Sequence, residues 1–184
     1  MGSGEFKGAQ EAGMESDAGF RQVLRELLTG QTLAVLSTHC DGQPYANLVA
    51  FAFSDDLWSL YFVTPRATRK HGNLQRDGRM ALLITNGTNK ETDFHAAMAV
   101  TVIGSAGEIH GADRESALGH YVAKHPYLDD FARSPTCACM RVCVHTYILV
   151  NNFQHVMELH LDNEPVPIKL MDLSDSRGGG VDRI

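Results

Sequence analysis

Apolar and polar residues alternate with a period of two over much of the chain, and tight turns separate the alternating segments. Residues 32–38 and 45–53 flank Asp41-Gly42, a dipeptide typical of a two-residue β-hairpin. A turn at residues 54–56 leads into a third strand over residues 58–64. Five later segments also predict strands, at residues 79–85, 97–103, 105–110, 140–150 and 153–161. Strands in this order, with few helices between them, predict a mainly β (α+β) protein built on a small antiparallel barrel.

Helical periodicity is confined to short stretches that would flank the barrel. Apolar residues at Phe20, Leu24 and Leu28 predict an amphipathic helix that Asp17 begins and Gly30 ends. Two more helices are expected at residues 67–76 and 113–124, followed by a short helical turn at residues 127–132. Gly104 alone separates two of the predicted strands, which indicates a bend or bulge in one long ribbon. Because side chains fill a small barrel, we expect a ligand outside it, at a rim or between subunits.

The junction between the third strand and the second helix carries an unusual charge distribution. Pro65 cannot donate to a sheet ladder and closes the strand. Four basic residues then crowd the first helical turn: Arg66, Arg69, Lys70 and His71. The helix macrodipole already places about half a positive charge there, so these groups repel both the dipole and one another. A phosphate bound by backbone N–H groups, Thr68, Arg69 and Lys70 would relieve the repulsion; a solvated basic face is the alternative.

The overall charge makes this junction a local feature. The formal net charge is −6 at pH 7, whereas residues 66–79 hold five lysine or arginine residues opposed only by Asp77. An acidic chain lacks the basic surface that nucleic acids and anionic membranes require, so neither is expected as a partner. No apolar run is long enough to span a bilayer, and the N-terminus has no apolar signal core. We therefore expect a cytoplasmic protein.

The chain is expected to form one domain with a polar segment at each end. Residues 1–13 are rich in glycine, lack periodicity and are typical of an expression-vector leader ahead of a native start at Met14. Residues 163–184 are expected to form a polar tail that includes three consecutive glycines. The folded domain is therefore predicted within residues 14–162.

Residues 42–74 resemble the flavin-binding split-barrel family whose type member is pyridoxamine 5′-phosphate oxidase. In that family a strand ends in aromatic-hydrophobic-Thr, and a short loop then leads to Ser/Thr-Arg-Lys at the start of a helix. The chain has Phe62-Val63-Thr64 and Thr68-Arg69-Lys70 at the matching spacing. The resemblance implies an antiparallel split β-barrel and a homodimer with two flavin mononucleotides (FMN) at the subunit interface. It also implies a small-molecule redox substrate.

The same resemblance implies roles for individual residues. Thr68, Arg69 and Lys70 would hold the FMN phosphate through charge-assisted hydrogen bonds, each worth about 1.5–3 kcal/mol. Val63 and Thr64 would contact the isoalloxazine ring and the ribityl chain. The edge of the ring would be lined by four consecutive strand residues, Asn47, Leu48, Val49 and Ala50.

Two departures from the family pattern bear on the reaction. The type enzyme has an Arg and a Lys where this chain has Asn47 and Ala52, and no counterpart of its C-terminal Trp and Arg-His-Arg cluster follows Arg141. Pyridoxamine phosphate oxidation is therefore not expected, and the sequence identifies no catalytic residue. We predict an FMN-dependent oxidoreductase with another substrate. The alternatives are a non-catalytic flavin or haem protein acting in electron transfer, storage or sensing, a haem-degrading protein, and a relative that uses deazaflavin.

Cysteines and histidines near the C-terminal end are candidates for further sites. Cys137, Cys139 and Cys143 would share one face of an extended strand, but they lack the C-x-x-C spacing common in zinc sites. Small buried residues, and no metal site, are expected there. Some split-barrel proteins degrade haem with a C-terminal histidine, and His155 or His160 would take that part under the haem alternative.

Overall fold

The computed structural model describes residues 17–88, 90, 91, 93, 97–151 and 155–161. Within that part the strands are β1 (Leu33–Cys40), β2 (Gln43–Phe53), β3 (Ser59–Pro65), β4 (Arg79–Thr85), β5 (Met98–Glu108), β6 (Cys137–Asn151) and β7 (His155–His160). The helices are α1 (Asp17–Gly30), α2 (Arg69–Arg76), α3 (Gly111–Lys124) and α4 (Asp129–Arg133), with a 3₁₀ turn at Pro126–Leu128. The predicted leader and the predicted polar tail lie outside the described residues.

The strands form one antiparallel sheet that closes on itself. Its order is β3-β2-β1-β4-β5-β6-β7, and β3 also pairs with β6, so six strands make a barrel and β7 extends the sheet beyond β6. One edge of β6 changes partner along its length, because residues 137–143 pair with β3 and residues 146–151 pair with β7. The prediction of a mainly β, antiparallel split barrel with a few flanking helices is confirmed.

The first hairpin follows from its two turn residues. Asp41 and Gly42 have φ angles of 51° and 80°, the positive values that a tight two-residue turn requires. The turn pairs Cys40 with Gln43 and sets the register of β1 against β2 as far as Leu33. The predicted hairpin is confirmed, and both strands reach closer to the turn than the alternation indicated.

Two apolar clusters lie on opposite faces of the sheet. The larger cluster fills the barrel and includes Phe20, Leu24 and Leu28 of α1, so this helix covers the barrel core as its apolar spacing predicted. The smaller cluster lies outside the barrel, where Leu118 and Tyr121 of α3 pack with residues of β2, β3 and β6. Burial on both faces makes β3 and β6 apolar at successive positions, whereas β1 keeps a clear alternation.

The irregularity predicted at Gly104 is present in β5. The register of β5 against β6 shifts between Ile103 and Gly104, so the two predicted strands, at residues 97–103 and 105–110, form one strand with a bulge. A Cβ atom at position 104 would overlap the backbone oxygen of Cys143 on β6. Glycine is therefore required for the strands to approach one another here.

The helices after β5 differ from their predicted bounds. α3 begins at Gly111, two residues before the predicted start, and Asp113 lies in its first turn, where a carboxylate favours the helix dipole. The helix ends at Lys124, as predicted, and Pro126 then starts a 3₁₀ turn that α4 follows. No helix among the described residues has the length and apolar character needed to cross a membrane.

Candidate functional site

The β3–α2 junction is held by two threonine hydroxyls. Thr68 is the N-cap of α2: its hydroxyl accepts from the His71 N–H at 3.4 Å and donates to the Pro65 carbonyl at 2.8 Å. Thr64 is fully buried, and its Oγ1 lies 3.1 Å from the Thr68 Oγ1. Because the Thr68 proton is used on Pro65, Thr64 donates in this pair. The two hydroxyls thus fix the direction in which α2 leaves the sheet.

A buried amide ties α2 to the rim of the barrel. Asn73 is 5% exposed, and its Nδ2 atom donates to the Thr38 hydroxyl of β1 at 3.0 Å. Leu74 of the same helix is buried in the barrel cluster. The helix therefore has a fixed position on the rim, and so do the residues of its first turn.

Glu108 of β5 neutralises two of the four basic residues at the junction. Its Oε1 atom accepts from the Arg66 Nε at 3.1 Å, and its Oε2 atom lies 3.2 Å from the His71 Nε2. Burial raises the pKa of the Glu108 carboxyl, but the hydrogen bonds from Arg66 and His71 outweigh it and hold that pKa below its ordinary value. Arg66 also donates to the Pro135 carbonyl at 2.7 Å. The repulsion expected among the four basic residues is therefore relieved by Glu108 at Arg66 and His71.

Arg69 and Lys70 keep the unbalanced charge. Neither pairs with an acidic side chain among the described residues, and the Arg69 guanidinium lies 5.4 Å from the centroid of the Tyr45 ring. Partial burial lowers the pKa of the Lys70 ammonium, which shows that its charge is poorly solvated where it stands. An anion bound beside these two side chains would restore the lost solvation and reverse that shift. The capped first turn of α2 adds backbone N–H groups to the same place.

The strand assigned to the flavin ring has one edge without a strand partner. β2 pairs with β1 as far as Gln43, but it pairs with β3 only through Phe51, Ala52 and Phe53. The opposite edge of β3 pairs with β6 along its whole length, from Ser59 to Pro65. The outer edge of β2 over residues 43–50 therefore has no ladder partner in the described part of the chain. Its backbone donors and acceptors are available to a flat, polar ring.

Asn47 supplies a polar group on this strand. Its Nδ2 and Oδ1 atoms are both inaccessible to solvent and have no hydrogen-bond partner among the described residues. A buried amide without partners costs about 1–3 kcal/mol for each unsatisfied group, so the position favours a ligand with both a donor and an acceptor. The pyrimidine edge of a flavin has both. Two residues earlier, and so on the same face of the strand, Tyr45 lies under Arg69, which brings this face of β2 close to the first turn of α2.

The remaining predicted ring residues face different surroundings. Leu48 is 62% exposed on the outer face of the sheet, whereas Val49 is buried in the barrel. Ala50 packs against the smaller cluster outside the barrel, and Val63 is a buried member of it. These side chains cannot all contact one ring, because strand residues alternate between faces. What the four consecutive β2 residues share is the open backbone edge.

The cysteines and histidines form no cluster that could hold a metal ion within the described residues. Cys137 and Cys139 are buried under α3 as predicted, whereas Cys143 is exposed. Burial raises the pKa of the Cys139 thiol to about 11, which makes it unreactive. The Nδ1 and Nε2 atoms of His160 lie 3.1 Å from the Thr146 hydroxyl and 3.2 Å from Glu158. The side chain of His155 lies outside the described residues.

Two residues of the candidate site, Tyr45 and Glu108, were not predicted from the sequence. Tyr45 was detectable, because it lies two positions before Asn47 and must share its face in a strand. Glu108 was not, because it reaches Arg66 from a distance of 42 residues along the chain and belongs to no local motif.

Comparison with known structures finds the same fold in several proteins of low sequence identity. A haem-binding protein from Mycobacterium smegmatis is 14% identical, with a TM-score of 0.66; the match covers 74% of this chain but only 55% of that protein. An FAD-binding protein from Mesorhizobium loti is 18% identical over 70% of this chain and 90% of that one, with a TM-score of 0.58. At these identities the likeness shows the fold alone. No curated protein sequence matches the chain significantly.

Other matches carry the family description itself. A Clostridium acetobutylicum protein is described as related to general stress protein 26 of Bacillus subtilis and as of the pyridoxinephosphate oxidase family. It is 14% identical, with a TM-score of 0.61, over 79% of this chain and 97% of that one. The family described as Pyridoxamine 5′-phosphate oxidase matches residues 20–149, which is more than half of the sequence and includes the whole β2–β3–α2 site. The chain therefore belongs to the pyridoxamine 5′-phosphate oxidase family of split-barrel proteins.

Proposed function

We propose that the protein binds FMN and acts with it as an oxidoreductase on a small molecule. The observation that carries the proposal is the pair of uncompensated cations, Arg69 and Lys70, at the capped start of α2. A terminal phosphate dianion matches two positive side chains and a helix N-terminus in charge and in hydrogen-bonding capacity. A solvated basic face, the alternative from the sequence, does not account for the partial burial of Lys70.

The ring would lie along the open edge of β2. Backbone groups of residues 47–50 and the unpartnered amide of Asn47 would bind its polar edge. Thr64 and Thr68 would hold the phosphate-binding turn in place from beneath it. When bound, the isoalloxazine supplies the hydride or electron transfer itself, and the protein contributes position and surroundings. A dedicated acid or base is therefore not required, and we assign no catalytic residue.

We further propose a homodimer with the cofactor at its interface. The outer face of the sheet presents large apolar side chains to solvent: Leu33 is 51% exposed, Leu48 62%, Leu83 43% and Val156 56%. Leu48, Val35 and Leu83 stand in register across three adjacent strands, so they form a continuous apolar row. An exposed apolar face of this kind favours burial against a second copy. Leu48 is the immediate neighbour of Asn47, which would bring the interface to the edge of the ring site.

The test is reconstitution with FMN, followed by titration of flavin fluorescence. The double variant Arg69→Ala/Lys70→Ala should weaken FMN binding at least 100-fold, because it removes charge-assisted hydrogen bonds worth about 1.5–3 kcal/mol each. The control, Lys90→Ala/Arg133→Ala, removes the same charge from exposed positions outside the site and should bind FMN normally. Unchanged affinity in the first variant would mean that the phosphate does not bind at α2.

A visible absorption spectrum separates the flavin from haem. The structure does not favour His160 as a haem ligand, because both of its ring nitrogens already have partners. A flavin spectrum that bleaches with reduced nicotinamide supports the oxidoreductase, whereas tight binding without bleaching supports a non-catalytic carrier. Parallel titrations with FMN and a deazaflavin distinguish those two cofactors. The cytoplasmic location and the absence of nucleic-acid and membrane partners stay predictions from the sequence.

A further inference from the structure

A recess lies near the C-terminal end of β2, away from the residues that would hold the flavin phosphate. It is a groove open to solvent, of about 290 Å³, between the end of α1, β2 and α3, and is lined by Thr29, Ala52, Phe53, His120, Ala123 and Lys124. Tyr45, Asn47 and the first turn of α2 do not contribute to it. Its volume is close to the lower limit of about 300 Å³ for small-molecule sites.

Lys124 places an unbalanced charge at this recess. Its Nζ atom donates to the Leu28 carbonyl at the end of α1 at 2.6 Å, and lies 3.8 Å from the centroid of the Phe51 ring. No acidic side chain among the described residues pairs with it. An ammonium group has three protons, and the contact with Leu28 uses one of them. Burial lowers the pKa of Lys124 to about 8, so the charge lacks the stabilisation that a counter-ion would give.

The walls of the recess suit a small ring. Phe53 is partly buried and its ring centroid lies 5.4 Å from the Lys124 Nζ. His120 is fixed on the other side, because its ring stacks on Tyr61 with centroids 5.7 Å apart and planes 17° from parallel. Ala52, Ala123 and Thr29 complete the lining. An aromatic body would have apolar and aromatic surfaces to pack against.

We propose that this recess binds a small aromatic monocarboxylate, with its carboxylate on Lys124 and its ring against Phe53 and His120. A single negative charge matches the single lysine, whereas a phosphate dianion would bring an uncompensated charge into a partly buried place. The proposal does not depend on FMN, because none of the proposed phosphate or ring ligands lines the recess. It assigns Lys124 a role beyond joining α3 to the end of α1.

Benzoate and its neutral analogue benzamide are the probes. Isothermal titration of the purified full chain should show benzoate binding, with benzamide at least tenfold weaker, because only the carboxylate makes a charge-assisted pair with Lys124. Two-dimensional ¹H–¹⁵N spectra should place the benzoate-induced shifts at residues 29, 52, 53 and 120–124. The proposal would be overturned by equal affinity for the two probes or by benzoate-induced shifts elsewhere in the protein. It would also be overturned if benzoate did not bind at 10 mM, which is about the weakest interaction that the titration detects.

Two variants separate binding from folding. Lys124→Met keeps most of the side-chain length without the charge and should weaken benzoate binding at least tenfold. Ala123→Leu changes an exposed helix position that lines the recess, fills part of its volume, and should also weaken binding while leaving the Lys124 contacts and the melting temperature unchanged. Lys90→Met, an exposed lysine elsewhere, is the control and should bind benzoate normally. Full affinity in both Lys124→Met and Ala123→Leu would show that the recess is not the site.

Discussion

The Nε2 atom of His71 lies 3.2 Å from the Oε2 atom of Glu108, although 37 residues separate the two along the chain. The second oxygen of the same carboxylate accepts from Arg66. One acidic residue of β5 therefore divides the basic junction into a balanced half, Arg66 and His71, and an unbalanced half, Arg69 and Lys70. Arg69 and Lys70 are therefore the residues of the junction that can bind an anionic ligand.

Replacing Glu108 tests this division. We expect Glu108→Gln to lower the free energy of unfolding by about 1–3 kcal/mol at pH 7, because Arg66 and His71 lose charge-assisted partners. Urea denaturation measures the change. The control is Glu115→Gln, whose carboxylate is 62% exposed and pairs with Arg114 and Arg133 at the surface, so its loss should stay within about 1 kcal/mol.

The stability lost in Glu108→Gln should also depend on pH. The pKa of Glu108 is held below its ordinary value of 4.5, so its contribution is complete above that pH and is lost as the pH falls through the folded-state pKa. The stability difference between the wild type and Glu108→Gln should therefore shrink as the pH falls below about 4.5. A difference that persists unchanged at pH 3 would contradict the assigned ion pairs.

Gly104 and Gly107 form a matched pair on β5. A Cβ atom at Gly104 overlaps the Cys143 carbonyl, whereas one at Gly107 meets no atom within 4 Å. We expect Gly104→Ala to destabilise the fold by about 1–3 kcal/mol, since the backbone of β6 must move, and Gly107→Ala to have little effect. Chemical denaturation of the two variants under one set of conditions measures both values. Similar losses at both positions would mean that general strand propensity, not close approach, decides the effect.

Lys124 should make stability depend on pH in alkaline solution. Its pKa falls from an ordinary 10.5 to about 8 in the folded protein, so between these values the unfolded chain keeps a proton that the folded chain releases. The free energy of unfolding of the wild type should therefore rise with pH relative to Lys124→Met between about pH 8 and 10.5. Thermal unfolding of both proteins across this interval makes the comparison. Parallel curves for the two proteins would show that the pKa of the Lys124 amine is not lowered in the folded protein.

Charged residues on the outer sheet face should disrupt the proposed dimer. Leu48→Glu/Leu83→Glu places two carboxylates in the apolar row, and we expect the variant to sediment as a monomer and to lose FMN affinity. Tyr127→Glu is the control, because Tyr127 is fully exposed and lies in the 3₁₀ turn, not on the sheet face. A monomeric wild type, or a dimer that survives the double change, would place the interface elsewhere.

The fold was predictable because its strongest signals are local. Asp41-Gly42 set the first hairpin, Gly104 marked the bulge, and Pro126 ended α3, each through backbone preferences that act within a few residues. The strand bounds were less accurate, since β6 begins at Cys137, three residues before the predicted strand. Pairing with β3 adds those residues to β6, and that partner is far away in sequence.

The candidate site was predictable to the extent that its residues are contiguous. Thr68, Arg69 and Lys70 stand together in one turn, and their cap and charge can be read from the sequence. The sequence does not reveal that Arg66 is paired while Arg69 and Lys70 are not, because this difference depends on Glu108, which is distant in sequence. The open edge of β2 also depends on tertiary structure, since β3 pairs with β2 only through Phe51–Phe53 and no other described strand lies beside residues 43–50.

The partner exchange along β6 bears on how the molecule comes apart. β5 pairs with residues 140–151 of β6, while β3 and β7 divide its opposite edge. Residues 140–143 of β6 pair on both edges inside the closed barrel, with β5 and with β3, so the barrel must open before their amides lose a strand partner. The amides at the centre of β6 should accordingly exchange with solvent at the rate of global unfolding, which makes this strand the cooperative centre of the protein.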